Sequence, residues 1–311
     1  MKHRNRNRWL HAGLVLCATL VLTFLAKHYE FPDIQINHVE EITIPGVEGE
    51  YEFLFLTDLH LAVKTREDLG PLGDADTRIA GFANPQGTVS AKQLPQWMTY
   101  ANQEQVDAVL MGGDMLDYYS DTNAAYLKEQ MEKLTMPYLF TLGNHDLFSP
   151  WEEAVPAESA LYELCKGGNT AFQILEYEDF VICAIDNESY QVNEASLAVM
   201  KEWLNEHPDK PMILLAHVPF YTEQIEGLKE TSTSVWGQPI IIGEGARDTT
   251  AVTREFMELV FGAESPVVAV FTGDNHFYYK GNLNDSITQW VLDPSFAGNG
   301  TMIRVRGNET I

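Results

Sequence analysis

Five apolar runs of this sequence each end in side chains that bind metals or transfer protons. The residues at these ends are, in chain order, Asp58 and His60, then Asp114, then Asn144, His145 and Asp146, then His217, and finally Asp274 and His276. One strand that ends in such a side chain is common, but five strands that all end in Asp, His or Asn indicate that these side chains form one site. Carboxylates gathered in one buried place need compensating charge. Two divalent metal ions would supply it, and mixed nitrogen and oxygen ligands suit manganese, iron or zinc better than calcium.

The apolar runs themselves predict the elements that position these side chains. Residues 51–57, 107–111, 138–140, 212–216 and 267–271 have the continuous apolar character of strands buried on both faces. Further strands are predicted at 172–175, 180–185, 287–292 and 302–305, and a helix at 90–102. Apolar residues at helical spacing lie between several of the strands, which predicts an α/β fold. In such folds ligands bind beyond the carboxyl ends of the strands.

Two long irregular segments, 61–89 and 218–248, are predicted to wall the pocket, since loops of that length in a compact domain are usually functional or disordered. Candidates for substrate contacts in or near them are Arg66, Arg78, Tyr118, Tyr119, Tyr221 and Trp236.

Charge excludes one class of partner. The chain carries a formal charge of −25, with 20 basic and 45 acidic side chains. Five of the basic ones lie in the first 27 residues, which contain no acid, so the remainder holds 15 basic against 45 acidic groups. Nucleic acids are bound by neutralising their phosphates, and this surface would repel them. A small substrate held by metal ions fits better.

The first 26 residues predict a membrane anchor. Residues 1–8 form a basic tail, and residues 9–26 contain no Asp, Glu, Lys or Arg. As a helix they would be roughly 27 Å long, close to the thickness of about 30 Å of a bilayer core. Basic flanks stay in the cytoplasm, so the rest of the chain is expected outside, as a single-pass protein of the cell membrane. A cleaved signal peptide is the alternative, although Phe24 is too large for the expected cleavage site. Residues 27–48 are predicted to be a linker leading into an edge strand.

The motifs together resemble the calcineurin-like metallophosphoesterases. They are Asp58-x-His60, Gly113-Asp114, Gly143-Asn144-His145-Asp146, His217 and Gly273-x-x-His276, in matching order and spacing from about residue 50 to 306. The resemblance implies a catalytic domain over residues 49–311, built as a central β-sandwich flanked by helices, a four-layer α+β arrangement, with a dinuclear metal site at the strand ends. It implies metal-dependent cleavage of phosphate esters, monoesters or diesters, through a hydroxide that bridges two metals.

The resemblance also implies a division of ligands. Asp58, His60 and His276 match the ligands of the first metal, Asp114 matches the bridging residue, and Asn144 and His217 match ligands of the second. Asp274 stands where a histidine of a Gly-His-x-His motif is expected. An aspartate there makes the site more negative and harder, which favours manganese, iron or magnesium over zinc. The alternative is that Asp274 caps a turn and the site holds one metal.

His145 is the candidate general acid, with Asp146 expected to orient its imidazole. The purple acid phosphatase branch is disfavoured, because Asp117 stands where that branch has a tyrosine ligand. Two other functions stay open at this point. One is a binding or sensing module on a degenerate scaffold, motivated by Asp274. The other is an unrelated dimanganese hydrolase of the ureohydrolase type, which the absence of a second Asp-x-Asp motif disfavours.

Overall fold

A computed structural model describes residues 30–63, 75–150, 154–165 and 169–308. Its strands are β1 (Gln35–Thr43), β2 (Glu50–Leu56), β3 (Ala108–Met111), β4 (Tyr138–Phe140), β5 (Phe172–Glu176), β6 (Val181–Ile185), β7 (Met212–Leu215), β8 (Val267–Thr272), β9 (Tyr279–Asn282), β10 (Thr288–Val291) and β11 (Asn299–Arg306). Its helices are α1 (Ala75–Gly81), α2 (Ser90–Glu104), α3 (Asp121–Met131), α4 (Asn144–Leu147), α5 (Ala160–Leu164), α6 (Glu194–Glu206), α7 (Leu228–Trp236) and α8 (Ala251–Val260).

The strands form two sheets. One has the order β1-β11-β2-β3-β4 and the other the order β5-β6-β7-β8-β10-β9. Strands β2, β3 and β4 run parallel, and so do β6, β7, β8 and β10. Antiparallel pairs occur at β11–β2, β5–β6 and β10–β9. The carboxyl ends of the parallel strands of each sheet therefore lie on one edge.

Three apolar cores define four layers. The core between the two sheets contains residues from both, among them Phe53, Leu110, Ile213 and Phe271. A second core joins the first sheet to α2, α3 and α5, and a third joins the second sheet to α6, α7 and α8. The predicted β-sandwich flanked by helices is confirmed. Strands β3 and β7 are fully buried, which explains why their sequences lack polar alternation.

Local sequence accounts for several helix starts. Ser120, Asn193 and Thr250 each accept a hydrogen bond from the backbone N–H three residues later, which caps α3, α6 and α8. Helix α2 begins at Ser90, as predicted. The Ser90 hydroxyl does not cap it, however, and donates to the carbonyl of Leu59, next to the site.

The structure differs from the sequence-based predictions in three places. The two segments predicted to be irregular contain helices α1 and α7. These helices were not predicted because neither segment has an apolar repeat long enough to indicate one. The predicted linker, residues 27–48, contains β1, which pairs in parallel with β11 along its length. Strand β9, of which two residues are exposed, was not predicted.

Residues 1–29, which include the predicted basic tail and anchor, lie outside the described residues. Among the residues that the structure does describe, no helix has the length and hydropathy needed to cross a bilayer.

Candidate metal centre

The first group of ligands comes from both sheets. Asp58 and His60 follow β2, and His276 follows β8. The two imidazoles face each other with Nε2 of His60 3.2 Å from Nε2 of His276, and His276 Nε2 lies 3.4 Å from Asp58 Oδ1. One ligand atom from each of these three residues lies within 4.8 Å of the others. Such convergence of two imidazoles and a carboxylate fits one divalent ion.

The second group is centred on His217. Its Nε2 lies 3.4 Å from Asp114 Oδ2 and 3.5 Å from Asp274 Oδ1. Asp114 Oδ2 is also 3.8 Å from His60 Nε2, so this one oxygen lies between the two groups. Asp58, Asp114 and His217 form a second set with ligand atoms within 4.8 Å of one another, and Asp274 lies outside that tighter set.

Hydrogen bonding indicates that cations belong here. His217 Nδ1 lies 2.9 Å from the carbonyl of Gly112, so this nitrogen donates, and Nε2, which carries the lone pair when the ring is neutral, lies between two carboxylates. Nε2 of His217, Oδ2 of Asp274 and Oδ1 of Asn144 are all buried without a hydrogen-bond partner. Buried acceptors without a donor are costly. A pair of divalent metal ions would satisfy all of them, so the residues fit the implied metals.

The pKa values of the buried ligands also indicate a site for cations. Burial opposes a charge on His217, but the carboxylates of Asp114 and Asp274 raise its pKa well above the ordinary value. Burial would also raise the pKa of Asp114, and His217, His60 and His145 more than offset this, so its pKa is lowered. Protons and metal ions therefore compete for the same atoms.

Backbone strain is concentrated at these residues. Seven non-glycine residues among those described have positive φ, and five are predicted ligands: Asp58, His60, Asp114, Asp274 and His276, with φ between 47° and 62°. Side chains rarely adopt this conformation, and it persists where the surroundings enforce it, often at functional sites.

Close packing explains two of the neighbouring glycines. A Cβ on Gly143 would collide with the backbone and carboxylate of Asp114, and one on Gly273 would collide with Thr57 and Asp58. Only glycine allows the strand ends to approach so closely.

His145 lies beside the metal ligands in the one-turn helix α4. Its backbone N–H donates to Asp114 Oδ1 at 2.8 Å, and its Nδ1 lies 2.8 Å from the carbonyl of Asp117. Burial disfavours the imidazolium, but Asp117 and Asp114 more than offset this and raise the pKa of His145 to about 9. The side chain is partly exposed, so a proton donor at this position is accessible to a substrate.

The expected contact between Asp146 and the imidazole of His145 is wrong. Asp146 is fully buried, and its carboxylate accepts hydrogen bonds of 2.8 Å from the backbone N–H groups of Gly143 and Leu116. Burial, together with the charge of Asp114, raises its pKa to about 7. Asp146 holds the turn that carries His145 and does not hold its ring.

Asp117 is the residue that the sequence analysis did not assign to the site. Its Oδ1 lies 3.5 Å from Nδ1 of His60 and 3.6 Å from Nδ1 of His145. It also pairs with the guanidinium of Arg78, whose Nη2 donates to Oδ1 at 2.8 Å. Burial is outweighed by these three partners, which lower its pKa to about 2. Its position three residues after Asp114 was the signal that could have identified it.

The predicted substrate contacts are only partly at the pocket. Arg66 lies outside the described residues. Tyr118 and Tyr119 are buried, and the Tyr119 hydroxyl donates to Asp121. Trp236 is 44% exposed, with its ring 5.4 Å from that of His276.

A family model for calcineurin-like phosphoesterases matches residues 51–241, more than half of the chain. This chain belongs to the calcineurin-like phosphoesterase family. The matched region contains Asp58, Asp114 and His217 and stops before Asp274 and His276. The sequence motif and the distances of these last two residues to His217 and Asp58 assign them to the site. The family supports a metal-dependent phosphoester hydrolase.

One of the solved structures most similar to this chain has a similar fold, and two others resemble it more weakly. A dimetal phosphatase from Danio rerio superposes with a TM-score of 0.54 at 11% identity, covering 79% of this chain and 88% of that one. A purple acid phosphatase from yellow lupin (Lupinus luteus) gives 0.44 at 15% identity, with 83% and 45% covered. A 5'-nucleotidase from Candida albicans gives 0.39 at 12% identity, with 85% and 46% covered. Among curated proteins, none matches this chain.

Proposed function

We propose that this chain hydrolyses a small phosphate ester, with two divalent metal ions held by the two ligand groups. The observation that carries the proposal is the shared carboxylate: Asp114 Oδ2 lies 3.8 Å from His60 Nε2 and 3.4 Å from His217 Nε2. His217 and Asp274 of the second group carry unpartnered ligand atoms, as does Asn144, which we propose as a further ligand of that group. When bound, such a metal pair supplies Lewis acidity toward the phosphoryl oxygens and lowers the pKa of water.

The proton for the leaving group would come from His145. Its Nδ1 is occupied by Asp117, so the opposite nitrogen is the one that can donate toward the pocket. Arg78 neutralises Asp117 and lies 3.5 Å from His145 Nδ1. The carbonyl and carboxylate of Asp117 favour the protonated imidazole and fix its direction, as general acid catalysis requires.

The metals proposed are manganese or iron in preference to zinc, with magnesium as a further option. Asp58, Asp114 and Asp274 bring three negative charges to the ligand set, and oxygen ligands favour harder ions. Two tightly bound zinc ions in a fully active protein would contradict this preference.

Hydrolysis of aryl phosphates tests the proposed function. The metal-free protein is loaded with Mn²⁺, Fe²⁺, Mg²⁺ or Zn²⁺ and assayed on aryl phosphomonoesters and diesters, with Asp114→Asn as the inactive control. We expect activity with manganese or iron that the control lacks. A wild-type protein that binds both metals and hydrolyses none of these esters would favour the binding or sensing module instead.

We propose further that residues 9–26 anchor the chain in the cell membrane, with residues 1–8 in the cytoplasm and the metal site on the outer side. The support is the basic, acid-free start of the chain followed by 18 residues without Asp, Glu, Lys or Arg. Fractionation and protease accessibility of intact cells test it. Full-length protein in the soluble fraction would contradict the anchor.

A further inference from the structure

Asp274 has two oxygens in different surroundings. Oδ1 accepts a hydrogen bond of 3.1 Å from the hydroxyl of Tyr190 and lies 3.5 Å from His217 Nε2. Oδ2 is buried and has no hydrogen-bond partner. The backbone N–H of Asp274 donates to the carboxylate of Asp58 at 3.0 and 3.2 Å, which fixes the main chain. With its main chain fixed, the Asp274 side chain can still rotate its carboxylate. The hydrogen bond from the Tyr190 hydroxyl restricts that rotation.

The turn that carries Tyr190 is tied to the segment that carries His217. Tyr190 N–H donates to the carbonyl of Asn187 at 3.0 Å. The buried side chain of Asn187 in turn accepts from the N–H groups of His217 and Val218 and donates to the carbonyl of Val218. The position of the Tyr190 hydroxyl is therefore set relative to His217 by a short chain of hydrogen bonds.

Tyr190 also has strained backbone. Its φ is 66°, a conformation that a bulky residue rarely adopts. Strain of this kind persists where the surrounding structure enforces it and clusters at functional sites. Apart from Tyr190, five of the six other described non-glycine residues with positive φ are the ligands themselves.

The ring of Tyr190 is held independently of its hydroxyl. The guanidinium of Arg247 lies 4.3 Å from the ring centroid, and its Nη1 donates to the carbonyl of Ser189 at 2.8 Å. Loss of the hydroxyl alone should therefore leave the ring in place.

We infer that Tyr190 is a positioning residue for Asp274 as a ligand of the second metal. This inference rests on the proposed two-metal site. An imidazole offers a metal one nitrogen in a fixed direction, whereas a carboxylate offers two oxygens and rotates. A hydroxyl that donates to one oxygen fixes the rotation and leaves the other open to a cation. Hydrogen bonds to ligands of this kind typically contribute 10–100-fold to metal affinity.

Manganese binding without substrate tests the inference. Metal-free wild-type protein and Tyr190→Phe are titrated with Mn²⁺ by calorimetry, and metal content is measured after gel filtration. We expect two sites in the wild type. In Tyr190→Phe the weaker site should lose about 10–100-fold in affinity, with the tighter site unchanged. Tyr126→Phe is the matched control, since it removes a hydroxyl that donates to the carbonyl of Ala91 and not to a ligand.

The same substitution in an Asp274→His protein distinguishes positioning of the carboxylate from a general loss of metal affinity. In Asp274→His, an imidazole replaces the rotating carboxylate, so adding Tyr190→Phe should cost the second site little further affinity. Unchanged affinities in Tyr190→Phe, equal loss at both sites, or the same loss in both backgrounds would each overturn the inference. So would a wild type that binds fewer than two ions. Two-site binding without ester hydrolysis would instead contradict only the proposed function.

Discussion

At the scale of single residues, the pair His145 and Asp146 shows why neighbours in sequence need not be partners. Both lie in α4, where successive side chains point about 100° apart. His145 is therefore partly exposed, while Asp146 is buried and accepts the N–H of Gly143, as an acidic residue at the third helical position often does. Asp117, from the segment after β3, takes the place beside the imidazole.

His145→Ala should retain both metals and lose activity by about 10²–10⁴-fold, the usual contribution of a positioned proton donor. The loss should be larger for alkyl phosphates than for nitrophenyl phosphate, whose leaving group needs little protonation. Steady-state rates on both substrates and metal analysis check this. His207→Ala is the control, because His207 follows α6 with its ring 4.1 Å from that of Trp203 and belongs to neither ligand group. Full activity of His145→Ala on alkyl phosphates would contradict the assigned role.

Asp117→Asn and Asp146→Asn should separate the two carboxylates. Asp117→Asn removes the charge that holds the imidazolium of His145, so we expect the rate on poor leaving groups to fall more than the rate on good ones. Asp146→Asn should instead lower the free energy of unfolding, by about 1–3 kcal/mol, because one buried N–H loses its acceptor. Rates on both ester types and urea unfolding distinguish them. A rate effect in Asp146→Asn and only a stability effect in Asp117→Asn would instead support the pair of His145 and Asp146 expected from the sequence.

At the scale of elements, Glu40 joins the two sheets at their edges. It lies on β1, and its carboxylate accepts from Trp290 Nε1 of β10 at 2.6 Å and from the Tyr278 hydroxyl at 2.7 Å, with Lys280 Nζ of β9 at 3.2 Å. Burial alone would raise the pKa of Glu40, and these partners lower it below 4.5 overall. The charge therefore stabilises the folded state above that pH.

Glu40→Gln should lower the free energy of unfolding by about 1–3 kcal/mol at pH 7, since a buried charged acceptor is lost. Because the folded pKa is depressed, this contribution is fully present above pH 4.5 and is lost as the pH falls through the folded pKa. Urea unfolding at several pH values checks it. Glu41→Gln is the control, as the exposed pair of Glu41 with Arg306 should contribute only about 0–1 kcal/mol. A pH-independent difference would contradict the role of the charge.

At the scale of the whole molecule, the metal site concentrates negative charge in a chain that is already at −25. Asp58, Asp114 and Asp274 are all buried within it. Bound cations would offset this repulsion and stabilise the fold by an amount that grows with the logarithm of their concentration relative to Kd.

Chelation should therefore lower the melting temperature by several degrees, and Mn²⁺ at about 100 times its Kd should restore about 2.7 kcal/mol of stability. Differential scanning calorimetry checks this, with NaCl at equal ionic strength as the control for screening. Asp114→Asn should lose most of the response, because its carboxylate belongs to both ligand groups. An equal response to NaCl and Mn²⁺ would indicate screening without binding.

Sequence alone determined which residues could form the site and which strands carry them. Apolar runs that end in Asp, His or Asn are local signals, and parallel strands bring their carboxyl ends to one edge, so the ligand set followed from short stretches of chain. Tertiary structure decided the contacts between segments distant in sequence. Asp117 beside His145, Tyr190 on Asp274 and β1 paired with β11 depend on how segments pack in space. No local pattern encodes such contacts, because each requires the fold to bring together residues between 28 and 264 positions apart.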